Sequence, residues 1–169
     1  MIRTYRHFLA AAALATLIVM MAPVGTGTGT AAAGSCWSWK ASEKKLARLT
    51  NQARMRRGKP KLRLDPELSK AAKVHTKLMA TTGILQHTPS DTLAYRVTNW
   101  SILGENVGYG SSVHQVQRAF MNSPAHRENI LKGRFRHVGI GIRTAGDTMW
   151  ITVLFSGREN PGTRLSMPC

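Results

Sequence analysis

The sequence predicts an α+β fold, with helices first and strands last. Two observations carry that reading. From residue 42 to about residue 131, apolar residues mostly recur at three-and-four spacing between recognisable caps. From His137 the period changes to two: "HVGIGI" alternates strictly, and "MWITVLFS" follows after a turn near "TAGD". No internal repeat interrupts the pattern, and 169 residues fit one domain.

The elements follow in order. After a short stretch with Trp37 and Trp39, Ser42 can cap a helix running to about Arg57, with Leu46, Leu49 and Ala53 as its buried stripe. Gly58 ends it and Pro60 bars its continuation. In "RLDPELSKAAKVHTKLMATTG" Asp65 is the cap and Pro66 takes the first helical position. Glu67 suits the positive helix end, and Gly83 stops the helix. Leu68, Ala72, His75 and Met79 share one face. Residues 84–110 read as irregular, with one short helix near Asp91–Val97. A further helix fits Ser112–Asn122, with Val113, Val116 and Phe120 inward. "SPAHRENIL" then gives a short helix capped by Ser123, with Ile130 and Leu131 buried. In the final hairpin Val138, Ile140 and Ile142 share a face, and Gly139 and Gly141 leave the other open to a close neighbour.

Charge and termini bound the function. The chain carries 24 Lys plus Arg against 8 Asp plus Glu, a net +16. "RMRRGKPKLR", Arg54–Arg63, holds six basic residues in ten. Such density attracts anionic surfaces or polymers, although a solvated helix end and loop explains it as simply. No zinc-finger spacing, stacking signature or helix-turn-helix points to specific nucleic-acid recognition. Residues 1–33 have the three-part pattern of a signal peptide: Arg3 and Arg6, an apolar run from Phe8 to Ala22, then "AAA". That run is short of the roughly 20 residues needed to cross a bilayer. The expected organisation is a signal peptide at 1–33, a leader at 34–41 and the domain at 42–169, in an extracellular monomer. In an exported chain, Cys36 and Cys169 are expected to form a disulfide tying the two ends together.

"NQAR", "AAKVHTKLMA", "LQHT", "GENVGYG", "MNSPAHRENIL", "HVGIGI" and "WITVLFS" occur in an order and spacing that resembles the CAP superfamily. That superfamily comprises cysteine-rich secretory proteins, antigen 5 and pathogenesis-related proteins. The likeness spans about Ala41 to Ser156 and is to the compact bacterial branch. It implies an α-β-α sandwich, with a small antiparallel sheet between helices and a cleft lined by two His and two Glu. Residue by residue, His87 in "LQHT" resembles the first His, Glu105 in "GEN" the first Glu, and His126 in "SPAHR" the second His. The fourth member, a Glu following an aromatic, has no counterpart: Phe120 stands at the aromatic position and Ser123 three residues on.

His87, Glu105 and His126 admit three readings from their chemistry. Two imidazoles and a carboxylate can hold zinc, act as an acid–base group with shifted pKa values, or simply hold helices to the hairpin. Glu105 and His126 are the catalytic candidates under the second reading. His75 reads as a core histidine on an apolar stripe, and the resemblance places it beside the cleft. His114 and His137 read as surface or strand-edge residues, Asn51 and Arg54 as structural, and Arg127 and Asn129 as ties from the short helix to the hairpin. No His-Glu-x-x-His or Gly-x-Ser-x-Gly motif is present. The leading expectation is therefore a non-enzymatic extracellular binding module for a lipid-like or small apolar ligand, or for an anionic envelope polymer, membrane or host surface. The alternatives are a metal-dependent hydrolase, with zinc as its candidate cofactor, and a purely structural envelope protein.

Overall fold

The computed structural model describes residues 38–157 and 161–165. The chain separates into Met1–Gly34 and Ser35–Cys169, and everything below concerns the second part. The expected signal peptide and the expected Cys36–Cys169 disulfide lie outside the described residues.

Helix α1 spans Ala41–Met55, strand β1 Arg63–Leu64, α2 Pro66–Thr82 and α3 Ser90–Arg96. Strands β2 (Val97–Thr98) and β3 (Leu103–Gly110) follow, then α4 (Val113–Asn122) and α5 (Pro124–Leu131). The chain continues through β4 (His137–Ala145), β5 (Thr148–Ser156) and β6 (Gly162–Thr163). The main sheet has the order β1-β4-β5-β3, antiparallel except for the β1–β4 pair, and β2 pairs with β6 separately. This is the expected α+β architecture, an α-β-α sandwich. No described helix is long and apolar enough to cross a membrane.

Strand alternation divides the core. Val138, Ile140, Ile142, Ile151, Val153 and Phe155 face α1, α4 and α5, where they meet Leu46, Val116, Phe120 and Ile130. Each such side chain contributes about 1.5–3 kcal/mol by leaving water. On the opposite face α2 lies directly on the strands. A Cβ on Gly139 would collide with the Leu68–Ser69 backbone, and one on Gly141 with Ala72. The period-two glycines are thus the seat of α2. Helix α2 is bounded as predicted: Asp65 accepts from the Leu68 N–H at 3.0 Å, and Gly83 closes the helix at φ +70°.

Four sequence expectations need correction. Helix α1 is capped at Lys40, not Ser42, because Glu43 takes the Lys40 N–H on Oε2 at 2.8 Å. "GENVGYG" is not irregular; it is most of edge strand β3, paired with β5 from Leu103↔Ser156 to Gly110↔Met149. Its glycines look like loop residues but face the helices, and a Cβ on Gly108 would lie 2.9 Å from Phe120. His137 is buried, 2% exposed, because β1 pairs beside it through Arg63 and covers the edge it would otherwise line. Asn129 ties α5 to β3 rather than to the hairpin, donating to Glu105 O at 3.1 Å and Asn106 Oδ1 at 2.9 Å.

Arg54 and Asn51 are structural, as expected. Asn51 holds both the N–H and the carbonyl of Leu62. Arg54 is wholly buried and donates to the carbonyls of Pro60, Ile130 and Lys132. Burial and the neighbouring Arg136 lower its pKa from the usual guanidinium range. Two of the carbonyls that take its charge, Ile130 and Lys132, lie at the negative end of α5.

Candidate functional site

Glu105 and Asn106 are successive residues of an edge strand, so their side chains leave on opposite faces of the sheet. That alternation explains the Gly-Glu-Asn motif. Glu105 reaches towards the loop after α2. Its Oε2 accepts the His87 Nδ1–H at 2.8 Å and the Thr88 N–H at 2.9 Å, while its Oε1 accepts the Thr88 hydroxyl at 2.7 Å. Asn106 reaches the other way and donates to the His126 carbonyl at 3.0 Å. The motif clasps two histidine-bearing segments around the free edge of β3.

The two imidazoles are supported differently. The Glu105 carboxylate is an acceptor, so His87 presents Nδ1–H to it and, when neutral, keeps a lone pair on Nε2. The His87 side chain is 61% exposed against 5% for Glu105, so the buried carboxylate orients a solvent-facing ring. His126, in the first turn of α5, has Nδ1 2.8 Å from Ser123 Oγ, and its ring packs on Phe120 with centroids 5.0 Å apart. A hydroxyl stands where the resemblance leads one to look for a carboxylate. Burial, and then the nearby charge of His87, lower the His126 pKa from its ordinary value of 6.5. Both effects favour the neutral form of the His126 ring.

Not every expected site residue enters one centre. The structure joins His87 to Glu105 and Thr88, and joins His126 to Ser123 and Phe120; Glu105 makes its hydrogen bonds to the first group alone. His75 is buried in α2 with Nε2 2.8 Å from Gln86 O, so it pins the residue preceding His87 rather than lining the cleft as a ligand. Thr88 and Ser123 were not legible as site residues, although each stands within three positions of a recognised histidine. Among the described residues, no three His, Cys, Asp or Glu side chains group as a metal site. The Nδ1 atoms of His87 and His126 are engaged, their Nε2 atoms are the remaining donors, and Glu105 orients His87 instead of ligating.

A hollow of about 260 Å³ opens beside His126. Ser123 and His126 form its polar end, and Leu85, Val107, Tyr109 and Phe120 its apolar wall. Leu85 and Tyr109 are exposed, as is Ile84 beside Leu85, and Tyr109 leans on Trp150 with ring centroids 5.3 Å apart.

An α-β-α sandwich with histidines and a buried glutamate around an edge strand defines a recognisable class of protein. Residues 47–155 match the family described as CAP, the cysteine-rich secretory protein family, and the chain belongs to it. It is 34% identical over 128 residues to the uncharacterized protein YkwD of Bacillus subtilis, a match that covers 72% of this chain and 49% of that one. The chain thus spans about half the length of this curated relative. Among solved structures it resembles an outer surface protein of Borrelia burgdorferi, with TM-score 0.64 and 22% identity. That likeness covers 73% of this chain and 97% of the other. It also resembles an extracellular protein of Bacillus anthracis containing an SCP domain, with TM-score 0.59 and 23% identity, over 68% of this chain and 40% of that one. These likenesses fix the fold.

Proposed function

We propose that this protein is an exported, non-enzymatic binding module whose hollow beside His126 receives a lipid-like ligand. One observation supports the reading most: a concave site with a short polar end and a longer apolar wall, rimmed by exposed Leu85 and Tyr109. Such a shape suits an amphiphile, its head on His126 and Ser123 and its chain along Phe120 and Tyr109. The basic surface favours work at an anionic envelope. Zinc, were it bound, would be held by the Nε2 atoms of His87 and His126 and would supply a positive charge for the ligand's head.

The hydrolase alternative has a weaker footing. Ser123 and His126 lie at hydrogen-bond distance, as a nucleophile and a base do. The carboxylate that would orient such a base is engaged with His87 and Thr88 instead.

Titration with a dansyl-labelled fatty acid tests the proposal. The expected result is a saturable rise in fluorescence that weakens about tenfold or more in Leu85→Asp, since a charge must then be desolvated against the chain. An unsaturable signal, or one indifferent to that substitution, contradicts it. Zinc titration with His126→Ala as control reports separately on the metal.

A further inference from the structure

The outer side of α1 carries two hollows larger than the one beside His126. One, of about 530 Å³, lies between α1 and α4, with Leu49, Ala53 and Met121 in its floor and Arg56, Arg57, Arg118 and His114 on its walls. The other, of about 460 Å³, lies between α1 and the segment leading to β1, with Lys44, Arg48 and Lys61 around Ala47, Met55 and Leu64. Gln52 belongs to both, so they flank one exposed ridge of α1 and sit about a helix diameter apart, roughly 10 Å.

This face has a single sign of charge. No Asp or Glu occurs from Lys44 to Leu64 or from Asn106 to Arg127, the segments that build it. The one carboxylate of α1, Glu43, is buried and turned inward to the backbone N–H groups of Lys40 and Ile142. Among the described residues, none of Lys44, Arg48, Arg56, Arg57, Lys61 and Arg118 is in an ion pair. A second observation is independent of charge. Gln117 lines the α1–α4 hollow and is 7% exposed; its Oε1 accepts the Thr50 hydroxyl, but its buried Nε2 has no acceptor. An unpaired buried amide is costly, and here it lies in a wall that otherwise supplies cations. A turn of this side chain into the hollow would bring the amide to the acceptor it lacks, an anionic oxygen.

We propose that the α1–α4 hollow binds a phosphate of a linear phosphodiester polymer, with Arg56, Arg57 and Arg118 on its oxygens and Gln117 Nε2 donating from within. A neighbouring phosphate of the same chain occupies the Lys44–Arg48–Lys61 hollow across the ridge. Guanidinium groups match the paired oxygens of a phosphodiester. Concavity favours a flexible chain over a bilayer, because a flat surface touches the ridge and cannot enter either trough. This site is separate from the His87–Glu105 cleft. It takes from the proposed function only the affinity for anionic envelope material.

Binding of poly(glycerol phosphate) to the purified protein, measured by titration calorimetry at two salt concentrations, tests the assignment. The expected result is saturable binding that weakens with salt and falls about tenfold or more in Arg56→Ser/Arg118→Ser. The exposed pair Lys77→Ser/Arg143→Ser removes the same charge elsewhere and is expected to cost less than about threefold, as a screened surface effect. Gln117→Leu, which leaves the charge intact, is expected to lose about three- to tenfold, with a melting curve confirming the fold. Equal losses in the two double variants overturn the site in favour of diffuse attraction. Phosphatidylglycerol vesicles that bind as tightly, with the same loss in the groove variant, overturn the polymer in favour of a membrane surface. Dansyl fatty acid binding is expected to be unchanged in Arg56→Ser/Arg118→Ser, so failure of the cleft and failure of this groove are read apart.

Discussion

Glu43 and Glu105 are both buried carboxylates in a strongly basic protein, and they do different work. Glu43 is fully enclosed, and its partners are the Lys40 and Ile142 N–H groups and Lys73 Nζ at 3.2 Å, all parts of the frame. It locks the start of α1 to β4. Glu105 is held as firmly by Thr88, but its third partner is His87, whose ring faces solvent. Burial and hydrogen bonding alone therefore do not separate a structural acid from a site acid. The discriminating feature is whether the chain of contacts ends inside the fold or at a surface where a ligand can arrive.

The comparison can be broken from the stability side first. Glu43→Ala strands two backbone donors and removes one of the partners of Lys73, so urea unfolding is expected to show a loss of about 3–5 kcal/mol. Glu105→Ala is expected to cost less, about 2 kcal/mol, because His87 can turn to water. Its larger effect is on order: the His87 ring resonances should sharpen towards those of a free side chain. Smaller again is His75→Leu, at about 1 kcal/mol, because losing the Gln86 bond is partly offset by removing a buried Nδ1 that has no partner. Hydrogen exchange should then quicken over residues 84–88 and leave α2 protected.

The smallest effect is electrostatic. By NMR titration His126 is expected to protonate below its ordinary 6.5, and His87→Gln should move that midpoint back part of the way. Because the unfolded chain takes this proton first, His126 contributes its share of stability above about pH 6.5 and loses it as the pH falls towards its folded midpoint. A midpoint at or above 6.5 would show that the ring is neither desolvated nor close to His87.

How much of this was legible in the sequence depended on range. Helix α2 was read from end to end because its signals are local: an Asp-Pro start, an apolar stripe and a terminal glycine. The β4–β5 hairpin was read from its period and from Gly146, which begins a two-residue loop at φ +55°. Strand β3 was missed because three of its eight residues are glycines, and their purpose is seen only when α4 and Phe135 are in place. Glu43 was missed because its partner Ile142 is 99 residues away. At the site, the resemblance led to His87, Glu105 and His126, but not to Thr88, which gives Glu105 two of its three hydrogen bonds. Asn106 holds the backbone carbonyl of His126, a contact between neighbouring elements that no local signal announces.

The claim that Glu105 serves the cleft while Glu43 serves the frame is tested most directly by one paired measurement. Glu43→Gln and Glu105→Gln are each melted and then titrated with the dansyl fatty acid. The account predicts that Glu43→Gln is the less stable of the two and binds as wild type while folded. It predicts that Glu105→Gln stays closer to wild-type stability and binds about tenfold more weakly, because the loop that brings Leu85 to the hollow loses the charged acceptor that holds His87 and Thr88. Wild-type binding in Glu105→Gln, together with a loss of stability as large as that of Glu43→Gln, would contradict it and make Glu105 a second structural carboxylate.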